Sequence, residues 1–345
     1  MLIVGGGPPR RDGGPHAAVL FSYIAALRGL GWAIEFVASG ELARGDDAVA
    51  VLKAWDVTCH RAPAVASVEE VLRRRRAAFA LVSLAGLPNT RAYAALARLW
   101  QPRARLVCGL AVQDRTDAGP LRLVDVTIVP SAADAASLAL RAPGAPVHVV
   151  PWAPCPEDGS IRGSRRHGIG FIGRPNDPGY ADAVSWLTGA IMPAVWQRDP
   201  RMSCLMAGFG RSVDGRIRYL ASAEEVLAHV CLTVAPIRPG TGPTTLVLDS
   251  FAAGVPGVMT PAAAAGLALD DVLRTAVAED VGAMADLICD LYFQPALHRR
   301  HAEAGLALVR GQYSPDAVAA AMAVAVGSAT APAMPRKGTA VARAG

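Results

Sequence analysis

The stretch RPGTGPTTLVLDSFAAGVPGVMT, Arg238–Thr260, runs from a loop rich in glycine and threonine into an apolar, helix-like segment that carries one acid, Asp249. A second turn of small residues and a short apolar run follow it. Strand, loop, helix and strand in this order form the repeating unit of a parallel sheet covered by helices. The lone carboxylate has two interpretations: it faces a ligand, or it lies on the solvated side of a surface helix.

The same unit recurs along most of the chain, because short β-branched runs alternate with alanine- and leucine-rich helical patterns. Seven strand-like runs precede residue 151, beginning with Leu2–Val4, and the rhythm restarts at Gly168–Ile172. The pattern predicts an α/β protein with two Rossmann-like domains facing across a cleft, with C-terminal helices. The predicted divisions are an acceptor-side domain at 1–151, a linker at 152–166, a nucleotide-sugar-binding domain at 167–295, C-terminal helices at 296–326 and a disordered tail at 327–345.

Composition narrows the class of protein. A hydrophobic fraction of 52% and a charged fraction of 18% describe a chain that forms cores, and the net charge of +5 suits anionic small ligands without requiring nucleic acid. The six cysteines form no C-x-x-C pair and no metal-ligand spacing, which favours a reducing cytosol. We therefore expect a cytoplasmic protein, with attachment to the inner face of the membrane left open.

Three loops are candidates for binding a ligand. The first, Val4–His16, contains Gly13 and Gly14 before a helix, a place that suits negative charge; its spacing fits neither a dinucleotide fingerprint nor a P-loop, and a plain β–α turn is the alternative. The second places Arg174 just after a strand, where a guanidinium can grip phosphate, or where it is a surface arginine. The third is the opening stretch, with Gly240, Thr241, Gly242, Thr244 and Thr245 preceding Asp249.

Two of these loops carry a family resemblance. Ala235–Thr260, APIRPGTGPTTLVLDSFAAGVPGVMT, and the segment GFIGRPNDPGYADAVSWL at 170–187 resemble, without gaps, the nucleotide-sugar domain of GT-B fold glycosyltransferases of the family 4-like group (glycosyl transferases group 1). The second segment keeps Pro178, Asp182, Ala183 and Trp186 of that group's pattern. The segments PPRRDGG and DVTIVPSAADAASL of the first half also fit the pattern, so the resemblance covers most of residues 1–310.

The resemblance implies roles for these residues. Asp249 would accept hydrogen bonds from the ribose hydroxyls of the donor nucleotide, although the group usually has the longer glutamate there. Gly13, Gly14 and the loop Gly240–Thr245 would cradle the diphosphate, with Arg174, and with Arg238, Arg10 or Arg11, supplying positive charge. Asp114 and His16 are rival candidates for the base that activates the acceptor hydroxyl, so that the catalytic set is Asp114, His16 and Arg174.

Four departures from the group bear on activity. Thr241 stands at the first acidic position, Thr244 and Leu246 replace two lysines, the histidine of a first-domain motif is replaced around Asp114, and Trp152 replaces an asparagine. These losses matter because preorganised cations stabilise charge that develops on the leaving diphosphate. They keep open a second hypothesis, a catalytically silent GT-B protein that binds a nucleotide sugar or a partner as a scaffold or regulator.

The leading hypothesis is an enzyme, a glycosyltransferase that moves a sugar from a nucleotide-sugar donor to an acceptor hydroxyl. By resemblance it would be retaining and metal-independent, with no cofactor besides its nucleotide-diphosphate sugar substrate; no D-x-D motif occurs in the sequence. The acceptor would be a glycan, a lipid-linked saccharide or a surface polysaccharide precursor. A nicotinamide-dependent oxidoreductase shares the predicted halves but has a glycine fingerprint that this sequence lacks.

Overall fold

The computed structural model of the protein describes residues 1–7, 14–39, 46–60, 64–85, 89–109, 119–154, 166–173, 178–208, 214–238 and 245–327. The strands within these ranges are β1 (Leu2–Gly5), β2 (Glu35–Ala38), β3 (Thr58–His60), β4 (Leu81–Ala85), β5 (Arg105–Gly109), β6 (Val126–Val129), β7 (Val147–Val149), β8 (Ile169–Phe171), β9 (Cys204–Ala207), β10 (Ile217–Leu220), β11 (Leu232–Ala235) and β12 (Gly257–Met259).

The helices follow the strands in the alternating order that the sequence predicts. They are α1 (Gly14–Gly29), α2 (Asp46–Ala54), α3 (Val68–Arg74), α4 (Thr90–Trp100), α5 (Ala132–Arg141), α6 (Pro178–Trp186), α7 (Met192–Arg198), α8 (Ala223–His229), α9 (Leu246–Ala252), α10 (Pro261–Ala264), α11 (Asp271–Arg274), α12 (Val281–Phe293), α13 (Pro295–Gln312) and α14 (Pro315–Val326). A 3-10 turn at Gly119–Leu123 precedes β6.

Two parallel sheets form, one from each half of the chain. The first has the order β3-β2-β1-β4-β5-β6-β7 and the second the order β10-β9-β8-β11-β12. All paired strands are parallel. In each sheet the strand order reverses its direction at one point, between β1 and β4 in the first sheet and between β8 and β11 in the second. This topology confirms the predicted α/β class with two Rossmann-like halves.

The first sheet is buried on both faces, which explains why its strands read as continuous apolar runs. Ile3 and Phe36 belong to the core on one face, whereas Leu2, Val4 and Val37 belong to the core on the other. Side chains of successive residues in a strand point to opposite faces, so a single strand supplies both cores. A third core fills the second half of the chain around Phe171 and Phe251.

Helix α14 crosses back from the second half of the chain to the first. Its residues Val318, Met322 and Val326 lie in the same core as Phe21 and Ile24 of α1. The guanidinium of Arg105 in the first sheet donates to the carbonyl oxygen of Val326 at 2.9 Å. Because α14 is apolar on nearly all sides, it needs cover from a neighbour, and α1 provides that cover. The sequence predicts the helix at this place but not its return to the first domain.

Candidate functional site

The loop of the opening sequence leaves the sheet at its switch point. β11 pairs with β8 on one side and with β12 on the other. β9 and β10 lie on one side of β8, and β11 and β12 lie on the other side, so the strand order reverses between β8 and β11. In open α/β sheets, ligands bind beyond the carboxyl ends of the strands at such a point. Helix α9 starts there, and Asp249 lies in its first turn.

Asp249 is partly buried, and its carboxyl group is not fully solvated. Burial raises the pKa of Asp249 to about 7, a hydrogen bond from the Thr245 hydroxyl lowers it, and the negative charge of Glu224 on α8 raises it further. The Thr245 side chain is itself buried, with 7% of its surface exposed. The alternative in which Asp249 lies on the solvated side of a surface helix does not agree with this environment. A carboxyl group that is costly to ionise in place is characteristic of functional sites.

Two buried hydroxyls fix α9 to the sheet. The Ser250 Oγ lies 2.6 Å from the Thr233 Oγ1 of β11 and donates to the Val255 carbonyl oxygen at 2.8 Å. Both side chains are almost completely buried, so each needs these partners. Ser250 follows Asp249 in the helix, and the pair therefore sets the position from which the Asp249 carboxyl group reaches out.

Helix α13 packs against α9 on the side away from the sheet. A Cβ atom added at Gly305 of α13 would lie 2.7 Å from the Phe251 ring, closer than real Cβ atoms approach a neighbour. Only a glycine allows this close approach. The helix that carries Asp249 is thus held between the sheet and α13, which is the rigid support that a ligand-binding side chain requires.

The exit of β11 is anchored by side chains from both flanks. The Thr260 hydroxyl donates to the Ile237 carbonyl oxygen, and Arg238 forms two hydrogen bonds with Asp182 of α6, one of them Nε to Oδ2 at 2.6 Å. The Arg238 guanidinium also lies over the Trp186 ring, 5.3 Å from its centroid. Asp182 and Trp186 are two of the positions that match the family pattern, and here they position the arginine beside the predicted diphosphate loop.

The carboxyl edges of the two sheets approach each other at Gly266. This glycine follows α10, beyond the carboxyl end of β12, and has φ +81°. A Cβ atom there would lie 2.8 Å from the Oγ of Ser131, which caps α5 just beyond β6 of the first sheet. Trp152, the residue after the interdomain proline, is buried and meets the Tyr313 ring edge-on at 6.2 Å between centroids. These contacts bring the carboxyl edges of the two sheets close together, as the predicted arrangement of two facing domains requires.

Several predicted site residues lie outside the described residues: Gly13, Asp114, Arg174, Gly240, Thr241, Gly242 and Thr244, together with Arg10 and Arg11. Gly14 and His16 are the first and third residues of α1. Of the predicted site, the structure therefore brings together Thr245 and Asp249. Within the described ranges, no group of three or more His, Cys, Asp or Glu side chains could hold a metal ion, and no helix has both the length and the apolar character to cross a membrane.

Sequence reasoning missed the residues that support Asp249. Thr233 and Ser250 are isolated hydroxyl residues in otherwise apolar runs, a signal that each needs a buried partner. The pairing between Asp182 and Arg238 had no local signal, since 56 residues separate the two. Nothing in the sequence distinguishes Gly305 from other helix glycines, and only the packed structure shows its contact with Phe251.

Comparisons with known proteins agree with this geometry. Residues 166–294 match the family model for glycosyl transferases group 1. No curated protein matches the sequence. Among solved structures, HepE from Anabaena with UDP-glucose superposes with a TM-score of 0.70 at 12% identity, covering 94% of this chain and 98% of that one. A glycosyltransferase from Rickettsia africae gives 0.66 at 12% identity over 92% and 96%.

A third structure, WaaG, a glycosyltransferase involved in lipopolysaccharide biosynthesis, superposes with a TM-score of 0.62 at 10% identity, covering 95% of this chain and 100% of that chain. At such identities the likeness shows the fold alone. These structures have the GT-B fold, in which two Rossmann-like domains face each other, and this chain spans nearly their whole length.

Proposed function

We propose, from the match of residues 166–294 to the family model for glycosyl transferases group 1 and from the GT-B fold of the chain, that the protein transfers a sugar from a nucleotide-sugar donor to an acceptor hydroxyl. The family match and the fold support a glycosyltransferase enzyme. The complex of HepE with UDP-glucose makes that donor the first one to test, and uridine the base that we expect.

The observation that carries the proposal is the placement of Asp249. Its carboxyl group lies in the first turn of α9, beyond the carboxyl end of β11 at the switch point, and burial raises its pKa to about 7. A ribose presents two neighbouring hydroxyl donors, and a carboxylate has two oxygens that can accept both. Such bonds favour the ionised form, so a bound ribose would offset the cost that burial imposes on Asp249.

The diphosphate would lie next to Asp249, against the loop at 240–244, with Thr245 at its end. Transfer breaks the bond between the anomeric carbon and the diphosphate oxygen, and the negative charge that develops there needs fixed positive partners. Arg238 is near the loop and is oriented by Asp182, and we propose Arg174 as the second cation. Because Asp182 shares the charge of Arg238, Arg174 would carry the larger part of this role.

The finer features of the reaction follow the family. We propose that the configuration of the transferred sugar is retained, that no metal ion takes part, and that Asp114 or His16 receives the proton of the acceptor hydroxyl. The acceptor would be a saccharide, a lipid-linked saccharide or a surface polysaccharide precursor bound against the first domain. WaaG is involved in lipopolysaccharide biosynthesis, which makes an acceptor of this class the first one to test.

Two measurements test the proposal. Thermal unfolding with UDP, GDP and their glucose conjugates should show a rise in melting temperature with at least one nucleotide, because a ligand that binds only the folded state stabilises it. Incubation with the stabilising conjugate should then release its sugar slowly to water. Stabilisation without any release would support the silent scaffold instead, and no stabilisation by any nucleotide sugar would contradict both.

A further inference from the structure

A cavity of about 710 Å³ lies on the first domain, among residues that the candidate site does not use. Arg91 of α4, Arg122 of the 3-10 turn and Arg141 at the end of α5 line it. The buried side chains of Leu121 and Val124 also line it, and the loop Ala142–Pro146 forms the remaining wall. Three elements that are separate in sequence thus each contribute one arginine to the lining of one cavity.

The positive charge of this cavity has no counterpart in the described part of the chain. Among the described residues, no acidic side chain lines it, and none of the three arginines forms an ion pair or a hydrogen bond there. The nearby carboxylate of Asp125 is already engaged, since it accepts from Arg98 at 2.7 Å and from the Leu106 N–H at 2.8 Å. All three arginines are exposed, so solvent screens part of the repulsion between them, and a bound anion would compensate their charges further.

The position of Arg91 is unfavourable for the helix that carries it. Arg91 is the second residue of α4, whose first turn contains no acid, and positive charge near a helix N-terminus is destabilising because unpaired N–H groups point there. Arg98, two turns further on the same helix, is held by Asp125 and by the carbonyl oxygens of Leu123 and Ala104. Arg91 makes no such contact with the described residues, and a bound anion would compensate its unfavourable position at the helix N-terminus.

The wall made by the loop Ala142–Pro146 is stiff and open to solvent. Pro143 and Pro146 restrict its backbone, and Gly144 takes φ +85° with no atom within 4 Å of an added Cβ. Leu140, next to Arg141, exposes 87% of its surface. A ligand can therefore enter the cavity from solvent, with apolar surface both inside it and at its side.

We propose that this cavity binds the phosphoryl group of an anionic ligand, held by Arg91, Arg122 and Arg141. A guanidinium offers paired N–H donors that match the oxygens of phosphate, and three of them from different directions suit its tetrahedral shape. Leu121 and Val124 would contact the organic part of the ligand. The phosphoryl group belongs either to a soluble phosphomonoester or to a phospholipid headgroup; this site is separate from the proposed donor site and does not depend on it.

The test compares two triple variants of the full chain that lose equal charge. One is R91Q/R122Q/R141Q, and the control is R73Q/R76Q/R218Q, in which three exposed arginines outside the cavity are replaced. Titration calorimetry with glycerol 3-phosphate, against chloride at matched ionic strength, measures the soluble source. Flotation with phosphatidylglycerol-containing vesicles, against pure phosphatidylcholine vesicles, measures the lipid source. Circular dichroism checks folding, and single R91Q and R122Q variants replace the triple variant if it does not fold.

We expect the wild type and the control to bind at least one of the two probes. The affinity of the cavity variant for that probe should be lower by a factor of about ten or more. Binding of glycerol 3-phosphate identifies a soluble ligand, and binding of vesicles alone identifies a headgroup. Equal loss in both triple variants would mean that general attraction between charges is responsible and would overturn the proposal. Absence of binding to both probes by the wild type would overturn it too, as would undiminished binding by the cavity variant.

Discussion

Replacing Asp249 by asparagine separates the charge of this side chain from its shape. In the wild type, the pKa of about 7 means that the carboxyl group is mostly ionised at pH 8 and mostly protonated at pH 5. Asparagine has nearly the same size but is never charged. If the ionised carboxyl group holds the donor ribose, the two proteins should differ in donor affinity at pH 8 and resemble each other at pH 5.

The expected size of the difference follows from hydrogen-bond energies. Hydrogen bonds to charged groups contribute about 1.5–3 kcal/mol and neutral ones about 1 kcal/mol, so D249N should weaken binding at pH 8 by about 10- to 100-fold. Two pH units below its pKa, about 1% of the carboxyl group is ionised, and wild-type affinity should fall about 100-fold between pH 8 and pH 5 if only that form binds ribose. The affinity of D249N should stay nearly constant.

The stability of the free protein should change in the opposite sense. The pKa of Asp249 is higher in the folded chain, about 7, than the value of about 3.9 expected when unfolded. Between these values the folded state binds more protons, so the free energy of unfolding decreases as pH rises through this window. Asparagine carries no charge, so D249N avoids this decrease in the free energy of unfolding. Because the side chain is only partly buried, we expect D249N to be about 1–2 kcal/mol more stable than the wild type at pH 8 and to differ little at pH 5.

The assay is isothermal titration calorimetry with UDP-glucose between pH 5 and pH 8, since its diphosphate does not titrate in this range. Its 2′,3′-dideoxy analogue is the matched control, because it lacks the hydroxyls that Asp249 would accept from. The analogue should bind both proteins equally at every pH. A wild-type affinity that is independent of pH, or a D249N defect that persists with the analogue, would refute the role assigned to the carboxylate.

Two further experiments test how α9 is held. G305A should destabilise the protein by about 1–3 kcal/mol and weaken donor binding, because its Cβ would meet the Phe251 ring. G311A in the same helix has open space around it and should stabilise the protein by about 0.5–1 kcal/mol. Chemical denaturation measures both changes, and equal effects of the two variants would contradict the close packing of α13 on α9. A double-mutant cycle of T233V and S250A should give a coupling energy of about 0.5–1.5 kcal/mol, and additive effects would mean that their hydroxyls do not interact.

The fold could be predicted because its signals are local. The central strands of the two sheets are mostly apolar runs, and several helices begin at a Ser or Asp whose side chain caps the first turn; Ser222, for example, accepts from the Glu225 N–H at 3.1 Å. The capping serine at Ser314 likewise accepts from the Ala317 N–H, at 3.2 Å. Such features depend on a few neighbouring residues, so they can be recognised from the sequence alone.

The remaining features arise from contacts between distant residues. A π-helical turn at Leu187–Ile191 joins α6 to α7, where the Met192 N–H bonds to the Leu187 carbonyl oxygen and Pro193 has no N–H to continue the regular pattern. The return of α14 to α1 depends on the shape of the whole molecule. Periodicity shows that α14 is apolar, but it does not show which surface covers it.

The candidate site was predictable in part for the same reason. Asp249 stands out as the single acid of an apolar helix, so its sequence position was informative. The consequence of its burial, a pKa of about 7, required the surrounding structure, including Thr245 and Glu224. The cavity of three arginines was not predicted, since Arg91, Arg122 and Arg141 belong to three separate elements without a shared motif.

The most direct test of the central claim is a crystal structure of the protein with UDP-glucose. We expect the nucleotide between the carboxyl edges of the two sheets, with a carboxyl oxygen of Asp249 about 2.5–3.0 Å from a ribose hydroxyl oxygen. A nucleotide bound elsewhere would contradict the account. So would a nucleotide in the cleft whose ribose lies beyond hydrogen-bond distance of Asp249.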